Sequence, residues 1–141
     1  MRIINNQEHL KQFLLGNGTD QSGHTIREVL DMDDKWWESN HYYIQWVFPI
    51  DKKSQYNPFA PAAKSKMNTP FMQEAYQRFK VFLQNTSWQS PDNHNCRRIS
   101  RVLISLNYFG YTDLFEDFKR YLKQELKDYP ELDKANKYWK L

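Results

Sequence analysis

At 141 residues, 40% hydrophobic and 16% aromatic, the chain is long enough for one domain with its own core and too rich in rings for a disordered segment. Its 20 basic and 17 acidic residues leave a net charge of +3, a weak field beside the basic stripes that neutralise several phosphates, so bulk charge lends no support to a nucleic-acid partner. Cys96 is the sole cysteine, which excludes an internal disulfide, and no apolar run is long enough to cross a bilayer.

The N-terminal stretch MRIINNQEHLKQF lacks the apolar segment of a secretory signal, and with the lone cysteine it predicts a soluble cytoplasmic protein. Asn6 is placed to cap a short helix whose Leu10, Phe13 and Leu14 share a face, and Gly16, Asn17 and Gly18 end it with residues that tolerate positive φ. Thr25 and Glu28 form a capping-box pair ahead of Ile26, Val29 and Leu30, predicting a second short helix.

Residues 40 to 50, NHYYIQWVFPI, fit two periods. As a strand, Tyr42, Ile44, Trp46 and Phe48 share a face; as a helix, His41, Ile44, Gln45 and Phe48 do. The rest of the sequence offers no convincing partner strand and a lone strand leaves its backbone unpaired, so the expectation is a helix that Pro49 stops. Residues 51–68 carry Pro58 and Pro61 without helical period and predict one long ordered loop with a more mobile lysine-bearing part.

Thr69 and Pro70 open a helix running to about Leu83, with Met72, Ala75, Tyr76, Phe79, Phe82 and Leu83 on one stripe. Ser90 and Pro91 repeat the signal before Ile99, Val102, Leu103 and Leu106, and Gly110 ends that helix. Thr112 starts a third, carrying Leu114, Phe115, Phe118, Leu122, Glu125 and Leu126, with Glu116 and Arg120 spaced for an ion pair. Pro130 opens a short last helix whose Leu132, Ala135 and Trp139 share a face. The three long helices have short connections, and the chain predicts an all-α, single orthogonal or bundle-like domain over residues 1–141.

Two places carry candidate chemistry. His41 and Gln45 lie one turn apart with Glu38 a turn before them, and either pin their helix to neighbouring backbone or project together toward a ligand. In HNCRRISR, Arg97, Arg98 and Arg101 form a basic strip roughly opposite the apolar face of Ile99, Leu103 and Leu106. A guanidinium suits carboxylate or phosphate because its planar fork offers paired donors. A solvated face, or ion pairs to Asp31, Asp33, Asp34 or Glu38, are the structural alternatives. Cys96 reads as a small packing residue on a helix rather than a nucleophile.

The stretch from Trp37 to Pro49 resembles the E-x-x-H-x-Y-I-Q-W-L-F-P signature of the opioid growth factor receptor family's N-terminal domain. Asn57-Pro58-Phe59-Ala60-Pro61 is similar to that family's N-x-x-A-P loop, and residues 93–103 to its N-H-N-x-x-R-I-x-R-I-L helix, with Trp88 just ahead. The similarity spans about Leu30 to Tyr121. It implies a helical domain whose animal members are receptors for the peptide met-enkephalin at the nuclear envelope, with no catalytic residues to carry over. The chain is little more than that domain, so the expectation is a microbial relative whose ligand need not be an opioid.

The leading expectation is therefore a binding module for a peptide, a small anionic ligand or a protein partner, with His41, Gln45, Trp46, Asn57, His94, Arg97, Arg98 and Arg101 as candidate contacts and no cofactor or metal. The alternatives are an enzyme using His41, His94 or Cys96, which lacks an orienting carboxylate at recognisable spacing, and single-stranded nucleic-acid binding through the arginine strip.

Overall fold

The computed structural model describes residues 7–50, 68–90 and 93–141, and among them every regular element is helical, as the apolar periods require. The chain runs α1 (Gln7–Leu14), α2 (Ile26–Leu30), α3 (Asp34–Ser39), α4 (Tyr43–Val47), α5 (Met72–Gln84), α6 (Asn95–Tyr108), α7 (Thr112–Leu126), a 3-10 turn (Pro130–Leu132) and α8 (Asp133–Trp139). No helix among the described residues is long and apolar enough to cross a membrane. The expected cap at Asn6, most of the expected 51–68 loop and Pro91 lie outside the described residues.

The short N-terminal helices are held by local chemistry. Leu10, Phe13 and Leu14 of α1 are buried, and the helix closes where the amides of Asn17 and Gly18 both donate to the Gln12 carbonyl, with Gly16 at φ +87. At α2 the predicted capping box is complete: the Thr25 hydroxyl accepts from the Glu28 amide at 3.2 Å, and the Glu28 carboxylate accepts from the Thr25 amide at 3.0 Å. Helix α3 has no counterpart in the sequence reading. It starts because Asp33 Oδ1 accepts from the Trp36 amide at 2.9 Å, and it sets Trp37 fully into the core, where the indole donates to the Val29 carbonyl at 3.0 Å. Helix α4 is the helical solution of the ambiguous stretch, but only five residues long, with Tyr43, Ile44, Trp46 and Val47 all buried.

The long helices supply the rest. The apolar stripe of α5 is buried as predicted, and its first residue is Met72 rather than Thr69, whose carbonyl accepts from the Met72 amide. Helix α7 packs on both α5 and α6, and α8 on α7, while α1 packs on α4 and α2 on α5. Phe79 sits at the meeting point, with the rings of Trp37, Phe48, Phe82 and Phe118 within 6.5 Å. The expected Glu116–Arg120 pair is replaced: Arg120 reaches Asp117 at 3.7 Å, and Asp117 also accepts from the Tyr76 hydroxyl and the Lys80 ammonium.

Candidate functional site

The first half of α6 reaches the ends of α3 and α4, whose last carbonyls, like those of every helix, have no partner within the helix. For α3, Arg98 supplies it. Its Nη1 donates to the Trp37 carbonyl at 2.8 Å and to Asn95 Oδ1 at 3.1 Å, and its Nη2 donates to the carbonyls of Asn40 at 2.7 Å and Glu38 at 3.3 Å. The guanidinium is buried, with its carbon 5.4 Å from the Tyr43 ring centroid. One turn on, Arg101 Nε donates to the Phe48 carbonyl at the end of α4 at 2.9 Å, and burial pulls the guanidinium down to about 10.

The expected surface strip of three arginines is therefore split. Arg98 and Arg101 turn inward because helix ends on neighbouring elements offer carbonyls at low dielectric, and Arg97 alone faces solvent. The alternative ion pairs to aspartates do not form either: Asp31 meets Arg27, Asp34 meets Arg78 and Asn85, and Asp33 caps α3. Trp46 is wholly buried, edge-on to Phe13 and donating to Gln21 Oε1 at 3.2 Å, so its indole belongs to the core rather than to a ligand surface. Gln45 is half-buried, and Asn57 lies outside the described residues.

The two histidines do meet. His94 Nε2 stands 2.6 Å from Glu38 Oε1, and the His41 ring packs edge-on to His94 with centroids 6.1 Å apart. Arg98 Nη2 approaches His41 Nδ1 at 3.2 Å; a guanidinium only donates, so Nδ1 accepts and the ring proton of this tautomer is on Nε2. Asn95 Nδ2 holds the other Glu38 oxygen at 3.1 Å. This is the carboxylate–imidazole contact that spacing along the chain did not reveal. Both imidazoles are exposed, and no group of three His, Cys, Asp or Glu side chains among the described residues is arranged to hold a metal ion.

Cys96 is half-buried with its sulfur 3.6 Å from the Ser90 carbonyl and 3.8 Å from that of Trp88, and burial raises the thiol above its ordinary range. A thiol with a raised value among carbonyls is a poor nucleophile.

Beside it, α6 and α8 form an open trough of about 450 Å³ lined by Cys96, Arg97, Ser100, Lys134, Tyr138 and Trp139. Its floor is fixed by a relay: the Trp139 indole donates to Ser100 Oγ at 2.8 Å, which donates to the Cys96 carbonyl at 3.1 Å, and Trp139 packs on Trp88. Tyr138 stands 70% exposed on the rim. Neither Arg97 nor Lys134 meets a carboxylate among the described residues. A second open groove of about 520 Å³ lies between α2, α3 and α5, lined by Leu30, Asp33, Asp34, Glu74, Gln77, Arg78 and Val81. No family model, no curated protein and no solved structure matches the chain.

Proposed function

We propose that this chain is a helical binding module, related to the opioid growth factor receptor N-terminal domain, that receives an acidic peptide segment in the trough between α6 and α8. One observation carries the reading: two cations without carboxylate partners among the described residues, Arg97 and Lys134, flank a floor of indole, thiol and hydroxyl groups with an exposed tyrosine on its rim. The fork of Arg97 suits a carboxylate side chain, and the Trp139–Tyr138 surface suits an apolar or aromatic neighbour. Exposed ion pairs are worth about 0.2–1 kcal/mol each, so charge selects the ligand while ring contacts supply most of the affinity. The nucleic-acid reading loses its support with Arg98 and Arg101 turned inward. Cys96, unpaired and with a raised thiol, suits a cytoplasmic setting.

The test is an NMR titration with a peptide of alternating glutamate and leucine, followed at the Trp139 indole N–H. Saturable shifts that vanish in the R97E/K134E double variant support the reading. An unshifted Trp139 resonance, or binding indifferent to both substitutions, rejects it.

A second reading rests on the Glu38–His94 contact, in which the carboxylate would orient an exposed imidazole as a general base. Under it, His94→Gln and Glu38→Gln lower any turnover of this chain together, each by about 10²-fold or more. Turnover that survives His94→Gln excludes it.

A further inference from the structure

Among the described residues, two large apolar side chains are exposed, Val81 at 48% and Tyr138 at 70%, and each belongs to one of the two grooves. Val81 lies beside Leu30 in the α2–α3–α5 groove. The carboxylates there are Asp33, Asp34 and Glu74, with Asp31 adjacent, against the two guanidiniums of Arg27 and Arg78. The balance is negative. Tyr138 lies on the α6–α8 trough, where Arg97 and Lys134 leave the balance positive. One surface thus offers an apolar groove with an acidic rim, and the other an aromatic knob on a trough that two cations also line.

We infer that the partner of the α6–α8 trough is a second copy of this chain, with Tyr138 of one copy seated on Val81 and Leu30 of the next while Arg97 and Lys134 face Glu74, Asp33 and Asp34. This rests on the trough reading above and names its occupant. The contact joins two different patches, so it closes either as a two-fold dimer, in which each copy's knob fills the other's groove, or by head-to-tail addition into a ring or an open chain. The patches are small, so association is weak and rises with concentration. Salt weakens it, because the facing charges are solvent-exposed and screened over about 8 Å at 0.15 M ionic strength.

Sedimentation velocity of the full chain across concentrations up to about 1 mM, in low and raised salt, reads this directly. The expected result is a shift beyond monomer at low salt that falls back on adding salt. Tyr138→Ser and Val81→Lys, both at exposed positions, each weaken it about ten-fold or more. K134E and E74K each weaken it alone, and an equimolar mixture of the two recovers association, because the reversed trough of one then matches the reversed groove of the other. A wild-type chain that stays monomeric, or assembly indifferent to these substitutions, overturns the inference. So does a monomeric chain whose Val81 groove resonances respond to a peptide of alternating lysine and leucine, since the groove then serves a basic partner.

The glutamate–leucine peptide separates the two levels. If it binds the Val81→Lys chain through Arg97 and Lys134 while the wild type remains monomeric, the trough reading stands and self-recognition falls. If it binds neither chain, the trough reading itself fails.

Discussion

Arg98 Nη2 lies 2.7 Å from the carbonyl oxygen of Asn40, the residue that ends α3, so a side chain of α6 closes a helix that precedes it by more than fifty residues. Removing that guanidinium leaves the buried carbonyl of Trp37 and the part-buried carbonyls of Glu38 and Asn40 without it. Arg98→Ala is expected to cost about 2–4 kcal/mol in urea unfolding, and Arg98→Lys to recover less than roughly half, since an ammonium cannot reach both branches of the site. Arg97→Ala, on the exposed face, stays within about 0.5 kcal/mol. Equal losses at the two positions would contradict the assignment of Arg98 as the buried tie.

Phe79→Ala empties the centre of the ring cluster formed with Trp37, Phe48, Phe82 and Phe118. The expected cost is about 3–5 kcal/mol, the range for deleting a buried phenyl ring, with an unchanged urea m-value. Tyr138→Ala, measured on the dilute monomer, changes stability by less than about 0.5 kcal/mol.

Two glycines with positive φ separate backbone strain from crowding. Gly23 has φ +86 and nothing within 4 Å of an added Cβ, whereas at Gly16, φ +87, that Cβ would meet the Phe71 ring at 3.1 Å. Gly23→Ala is expected to cost about 1–2 kcal/mol from conformation alone. Gly16→Ala costs more, because Phe71 must also yield, and thermal unfolding of the pair gives the order directly.

Acid stability tests Asp117. The Tyr76 hydroxyl, then Lys80 and Arg120, hold its carboxyl below the ordinary 3.8. The folded value is therefore the lower one: the contribution is complete above about pH 4 and is lost as pH falls through the folded value. Asp117→Asn and Tyr76→Phe should both flatten the acid limb of the stability curve. The effect is small, about 0.5 kcal/mol or less, because the carboxylate is partly exposed. A limb as steep in both variants as in the wild type would assign the acid sensitivity elsewhere.

What could be read from the chain alone was what local chemistry decides. The Thr25–Glu28 box spans three residues, and the stripe from Met72 to Leu83 repeats over three turns, so both are written in neighbouring positions. Helix α3 escaped because six residues hold too little period to register, although Asp33 three residues before Trp36 was its start signal. The arginines were legible as a cluster but not by destination. Arg98 and Trp37 are 61 positions apart, and whether a guanidinium meets water or a helix end is decided by packing. His94 and Glu38 were each noted, and only the approach of α6 to α3 makes them a pair.

Helices α3 and α4 have six and five residues, far below the length at which a helix survives in water without support. Their supports, Arg98 and Arg101, both sit on α6 and are synthesised long after them. On the ribosome α3 and α4 therefore stay fluctuating chain until the α6 segment emerges. That part then folds by capture from the C-terminal side, and the Trp37 indole gains its Phe79 and Phe82 neighbours only when the later helices arrive.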